Sequence, residues 1–237
     1  MQGIVKKNMK TATGIRTPSA KADTSCQSTR IKLCGLMRPE DIIAVNKLNP
    51  DYIGFVFASF SRRYITLDTA KKLKASLAPE IKAVGVFVDE KLETVTDLAN
   101  SGIIDMIQLH GKEDETYINT LRTLADNPVI KAFRIGSDED VREAERSSAD
   151  YILLDSGTGT GNKFDWGLLK NIKRPYFLAG GLNPENVTEA VETLRPFAVD
   201  VSSGIETDGV KDEQRMTDFV NKVSIINNAK GLLTPAS

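Results

Sequence analysis

Histidine is nearly missing from this chain of 237 residues, with His110 the sole example. A metal site of the imidazole-rich kind is excluded, because it would need more nitrogen ligands than the chain owns. Cysteine is almost as scarce: Cys26 and Cys34 are the only two, too few for a disulfide framework and in keeping with a reducing compartment. No uninterrupted apolar run approaches the ~18 residues of a membrane span. The N-terminus also lacks the apolar stretch of a secretory signal, so the chain reads as soluble and cytoplasmic, without a membrane partner. A formal net charge of −1 gives no global grip on nucleic acid or on an anionic surface. Any anionic ligand has to be held by local groups.

What is present is 41% hydrophobic residues, enough to bury a full core as one domain. Charge is unevenly spread. Residues 1–29 carry Lys6, Lys7, Lys10, Arg16 and Lys21 against Asp23 alone, which leaves residues 30–237 formally acidic. The segment is rich in Ser, Thr and Lys and has no sustained periodicity, the composition of a polar, disordered extension. Its hydroxyl content also suits an organelle transit peptide, but a single Arg argues against that. The expected division is therefore an extension over 1–29 and a catalytic domain over 30–237.

From Ile31 onward, short β-branched and aromatic runs alternate with longer amphipathic stretches, the pattern of βα units on a parallel sheet. Strands are expected at Ile31–Cys34, Tyr52–Phe57, Lys82–Val88, Asp105–Leu109, Val129–Phe133, Tyr151–Asp155, Tyr176–Ala179 and Ala198–Val201. Helices are expected near Glu40–Leu48, Asp68–Leu77, Leu92–Asn100, Asp114–Ala125, Asp138–Ser148, Trp166–Asn171, Pro184–Leu194 and Glu213–Asn227. Runs such as IGFVF and YILL are apolar throughout, as strands buried on both faces must be. Eight such units with no β-element left over favour a closed (β/α)8 TIM barrel over an open doubly wound sheet, whose reactive residues would sit where strands pass into βα loops.

The polar motifs fall at those places. In IKLCGLMRPED, Cys34 ends the first strand and Gly35 frees the backbone beside it. A thiol there works as a base only if a positive charge or a helix N-terminus stabilises its thiolate; otherwise it is a small buried hydrophobe. FVFASFSRRYIT puts Arg62 and Arg63 on the second loop, where a guanidinium offers a planar fork to a carboxylate or phosphate. MIQLHG brings His110 to the end of the fourth strand as a site-lining residue. Asp155 closes an apolar run and is followed by SGTGTGN. A hydrophobic strand carrying a carboxyl to the rim can raise its pKa and suit it to acid work. The glycine-rich stretch reads as a lid, since Asn162 stands where a dinucleotide fingerprint needs its third Gly and no Gly-Lys-Ser/Thr follows.

FLAGGLNPENV and VDVSSGIE complete the set. Gly180 and Gly181 let backbone N–H groups approach a ligand, while Asn183 as N-cap and Pro184 in the first helical position aim a helix N-terminus at the rim. Ser202, Ser203 and Gly204 form a second small polar turn. Loops after strands 7 and 8 are the usual phosphate-binding pair of this barrel.

Taken together, IKLCGLMRPED, IGFVF with SRRYI, VGVFV, IQLHG, LLDS with KFDW, LAGGLNPENV and VDVSSGIETDGVKD closely resemble the phosphoribosylanthranilate isomerase family over residues 31–229. The chain departs from the family pattern in ASFSRR, where a proline is usual, and in GNKFDW, where Gly-Lys-Thr/Ala-Phe-Asp-Trp is typical. The resemblance implies an Amadori rearrangement of N-(5′-phosphoribosyl)anthranilate to its 1-(2-carboxyphenylamino)-1-deoxyribulose 5-phosphate isomer in tryptophan biosynthesis, an aldose-ketose isomerisation. It also implies that Cys34 is the general base, Asp155 the general acid, and Arg63 rather than Arg62 the ligand of the anthranilate carboxylate. Gly180, Gly181, Ser203 and Gly204 would anchor the phosphate. Neither metal nor organic cofactor is implied, and the partner is a small phosphosugar; no nucleic acid is expected, and the chain is expected to be a monomer or homodimer. Two other readings remain at this point: a different phosphosugar barrel, such as indoleglycerol-phosphate synthase or an epimerase, and an inactive barrel that only binds phosphorylated ligands.

Overall fold

In the computed structural model, residues 28–155 and 166–231 are described. The lid over 156–162 and nearly all of the N-terminal extension lie outside them. Eight parallel strands close on themselves: β1 (Arg30–Cys34), β2 (Tyr52–Val56), β3 (Lys82–Phe87), β4 (Met106–Leu109), β5 (Val129–Arg134), β6 (Tyr151–Asp155), β7 (Tyr176–Ala179) and β8 (Ala198–Val201). Closure is made by β8 on β1, with Ile31 opposite Val199 and Leu33 opposite Val201. Outside run α1 (Pro39–Leu48), α2 (Leu67–Ala75), α3 (Leu92–Asn100), α4 (Glu115–Leu124), α5 (Asp138–Arg146), α6 (Val187–Leu194) and α7 (Glu213–Gly231). The expected barrel is present.

Local chemistry explains where the helices start. Thr66, Asp114 and Ser137 each accept a backbone N–H from three residues on, at the heads of α2, α4 and α5, which satisfies a donor that a helix start leaves orphaned. At α1 the Asp41 carboxylate accepts the N–H of Met37 at 2.9 Å and of Arg38 at 3.0 Å.

Two expectations are corrected. Trp166–Asn171 is a 3-10 helix and not an α-helix, in keeping with a run of only six residues. The helix expected from Pro184 begins at Val187. Asn183 still caps the preceding turn, its Oδ1 accepting from Glu185 at 2.9 Å and Asn186 at 3.0 Å. In addition Thr29, which the sequence boundary leaves in the extension, is buried and exchanges hydrogen bonds with Asn227 at 2.9 Å in both directions.

Side chains on a strand alternate between faces, so each strand serves two cores. Odd positions of β1 (Ile31, Leu33) join the layer between sheet and helices, while Tyr52, Val84, Met106, Ile130, Leu153 and Phe177 fill the barrel interior. The lower end is plugged by aromatic rings: Tyr151 stacks on Phe197 at 5.2 Å and Phe177 meets Tyr52 at 5.5 Å. Higher up the inward positions become small, with Gly54, Ala132 and Ala179.

Candidate active site

Cys34 is the last inward residue of β1 and is buried. Its register partner across the ladder is Gly54, and a Cβ there would sit 2.5 Å from the Cys34 sulfur. Glycine at 54 is thus what gives the thiol its room. One inward step below, Lys32 is fully buried and its Nζ lies 2.8 Å from Asp200 Oδ2 on β8. Burial would lower the Lys32 ammonium, yet Asp200 and Cys34 outweigh it and hold it above its ordinary value. Cys34 itself is pushed up, by burial first and by Asp200 after it, against the pull of Lys32 and Lys211. The resting thiol is therefore more reluctant to ionise than a free cysteine, even with two cations near it.

Asp155 ends β6 at the same rim, two residues above Leu153, which fills the interior. Its Oδ2 lies 3.4 Å from His110 Nε2. The other ring nitrogen of His110 shares a hydrogen bond with Gln108 Nε2 at 2.9 Å, and its backbone N–H donates to Phe87 O at 2.8 Å. The sequence expected His110 to line the site; it stands beside the carboxyl. Below the loop that bears it, Lys131 and Glu113 form a buried pair at 2.9 Å, and Glu113 also accepts the Gly111 N–H. That network anchors the His110 turn.

Arg63 reaches the mouth across Gly35, whose φ of +80° and missing Cβ leave a path for the arginine stem. Its Nε and Nη2 donate to the two oxygens of Glu206 at 2.6 and 2.8 Å, a bidentate pair that raises the guanidinium pKa through those hydrogen bonds. Arg62, by contrast, is 75% exposed and reaches Glu206 only at 4.0 Å. The two arginines are not equivalent.

Glu206 and Lys211 lie on a small antiparallel hairpin, β9 (Glu206–Thr207) and β10 (Val210–Lys211), that follows the 3-10 helix Ser203–Ile205. Lys211 is buried and donates to Glu206 Oε1 at 2.7 Å and to Ser202 O at 2.8 Å; Ser202 Oγ in turn donates to Cys34 O at 3.1 Å. Burial works against ionised Glu206, but hydrogen bonds from Arg63 and Lys211 outweigh it and the carboxyl lies below its ordinary range. Lys211 lies low because burial exceeds the attraction of its partners.

Gly180 and Gly181 both have positive φ, at 92° and 67°. Asn186 Nδ2 donates to Gly181 O at 2.9 Å and pins the turn. Gly204 packs against the Leu182 carbonyl so closely that a Cβ there would collide with it. The loops after β7 and β8 thus abut, bringing Gly180, Gly181, Ser203 and Gly204 to one side of the mouth. Among the described residues no three His, Cys, Asp or Glu side chains gather as metal ligands. A separate cavity at the opposite end, lined by Ser28, Arg30, Asp51, Val220 and Asn227 among others, holds none of these groups.

Lys32, Asp200, Glu206 and Lys211 are functional-site neighbours that no sequence motif had pointed to. Lys32 carried a signal, a charge two residues before Cys34 and so on the same face of β1, and Asp200 another, a charge within the apolar run of β8.

Residues 31–222 match the family model described as N-(5′phosphoribosyl)anthranilate (PRA) isomerase. A relative from Endomicrobium trichonymphae, named N-(5′-phosphoribosyl)anthranilate isomerase, is 44% identical over 196 residues, covering 81% of this chain and 96% of that protein. Among solved structures, phosphoribosyl anthranilate isomerase in complex with reduced 1-(o-carboxyphenylamino)-1-deoxyribulose 5-phosphate superposes with a TM-score of 0.75 at 36% identity, covering 83% of this chain and 98% of that one. Monomers generated from the dimeric enzyme of Thermotoga maritima give 0.73 at 34% identity, covering 83% and 98%. Among the described residues no helix is long and apolar enough to cross a membrane.

Proposed function

The chain belongs to the N-(5′-phosphoribosyl)anthranilate isomerase family, and on that premise we propose that Cys34 and Asp155 are the groups that move protons in its reaction. The reaction is the Amadori rearrangement of N-(5′-phosphoribosyl)anthranilate to 1-(2-carboxyphenylamino)-1-deoxyribulose 5-phosphate, a step of tryptophan biosynthesis. The observation that carries the assignment is that both side chains end inward rows at one rim, Cys34 on β1 and Asp155 on β6, within an otherwise closed barrel. An acid and a base on different strands of one mouth can act on neighbouring atoms of one ligand.

Asp155 gives a proton to the furanose ring oxygen while the anilino nitrogen lone pair expels that oxygen, opening the sugar to an iminium ion. Cys34 thiolate then takes the C2′ proton, and the electron pair moves to the iminium to give an enolamine. Protonation at C1′ and loss of the proton on O2′ leave the ketone. The iminium is itself the electron sink, so the chemistry calls on no metal or organic cofactor. Its positive charge also favours a neighbouring thiolate, which suits a thiol that the resting protein holds neutral.

Arg63 holds the anthranilate carboxylate, His110 lines the site beside Asp155, and the backbone around Gly180, Gly181, Ser203 and Gly204 anchors the phosphate. Close packing of the two loops at Gly204 supports that anchor. The enzyme works in the cytoplasm as a monomer or homodimer. The test is turnover of phosphoribosylanthranilate by the purified protein, followed by anthranilate fluorescence. Absence of turnover would sink the reading and leave a ligand-binding barrel.

A further inference from the structure

A guanidinium has five N–H donors arranged on more than one edge. In Arg63 the edge made by Nε and Nη2 is taken by Glu206 at 2.6 and 2.8 Å, which leaves the terminal edge, Nη1 with the second Nη2 hydrogen, for another acceptor. Glu206 is itself fixed, because Lys211 holds one of its oxygens at 2.7 Å from a buried position. The arginine stem lies across Gly35 next to Cys34. Arg63, Lys211 and Glu206 together keep one net positive charge, so the cluster still attracts an anion.

We propose that Glu206 is a positioning residue: by occupying one edge of Arg63 it turns the other into the mouth and thereby sets the selectivity for a substrate that bears a carboxylate. This rests on Arg63 being the group that holds that carboxylate. Without the anionic partner, Arg63 and Lys211 repel and the flexible arginine swings toward solvent, where it still carries charge but no longer presents a fork. Glu206→Gln keeps the size yet places an amide donor against a guanidinium donor, so the bidentate pair is lost.

The experiment measures calorimetric affinity for two probes, reduced 1-(o-carboxyphenylamino)-1-deoxyribulose 5-phosphate and its phenylamino counterpart without the carboxyl group, together with kcat and KM. For Glu206→Gln the carboxylated probe should bind on the order of tenfold more weakly, the other probe should bind as to the parent, and KM should rise with kcat little changed. Retained binding of the second probe also reports that the variant is folded. Should the single variant fold poorly, Glu206→Asp keeps the charge beside Lys211 but draws the carboxylate back from Arg63, and the same selective loss of the carboxylated probe is expected. Arg63→Ala serves as the reference: if it fails to separate the two probes, the reading of Arg63 is wrong; if it separates them and Glu206→Gln does not, the inference about Glu206 is overturned. Tighter binding of the carboxylated probe by Glu206→Gln would overturn it too.

Discussion

Lys32→Met isolates the cost of the charge pair beneath the thiol. The substitution keeps the length of the side chain and removes the hydrogen bond to Asp200 Oδ2, while Oδ1 has no partner among the described residues. Both residues are buried, so solvent cannot take over. Breaking one side of such a pair costs about 3–5 kcal/mol, and for a domain of this size about 2–4 °C is lost per kcal/mol, or roughly 6–20 °C in Tm. Lys32→Met with Asp200→Leu should recover most of that loss, because no unpaired charge remains. Urea denaturation of the parent, both singles and the double variant measures the four free energies. A loss below about 1 kcal/mol for Lys32→Met, the range of exposed pairs, would refute the claim that this pair is shielded from water.

Arg63→Ala should raise KM at least tenfold more than Arg62→Ala does, because Arg63 is 20% exposed and forked while Arg62 is 75% exposed; steady-state kinetics decide it, and equal effects would undo the distinction. His110→Asn should keep more activity than either Cys34 or Asp155 replacement, since its ring contacts the acid and carries no proton of the reaction; a larger kcat loss would move that role to His110. Burial pushes the Cys34 thiol up, and only the thiolate is nucleophilic. In a Cys26→Ser background, alkylation by iodoacetamide should therefore run slower than for free cysteine at neutral pH and go on accelerating past the ordinary thiol range, whereas a plateau near neutrality would contradict the shift.

The strands were legible because burial on both faces makes them short apolar runs, and each expected strand agrees with the barrel to within one residue at either end. The placement of Cys34 and Asp155 at the ends of β1 and β6 was legible for the related reason that a polar group closing such a run stands out. What the sequence reading lost is instructive. The β9–β10 hairpin corrects the expectation that no β-element is left over beyond the eight strands, although Asp208 and Gly209, with φ of 54° and 79°, form the Asp-Gly pair that a tight hairpin favours. Its strands are two residues each, too short for any periodicity. Glu206 and Lys211 gain their meaning only from Arg63, which lies far away along the chain. Lys32 and Asp200 are likewise joined by barrel closure, a contact no local pattern announces.

The most direct test is turnover of phosphoribosylanthranilate by Cys34→Ser and Asp155→Asn, paired with calorimetric affinity for the reduced product analogue. Loss of a general acid or base costs about 10²- to 10⁴-fold in kcat, and neither residue holds the phosphate or the carboxylate. Both variants should therefore lose kcat to that extent and still bind the analogue, with the double variant little worse than the poorer single one. Near-parental kcat in either single variant would remove that residue from the mechanism.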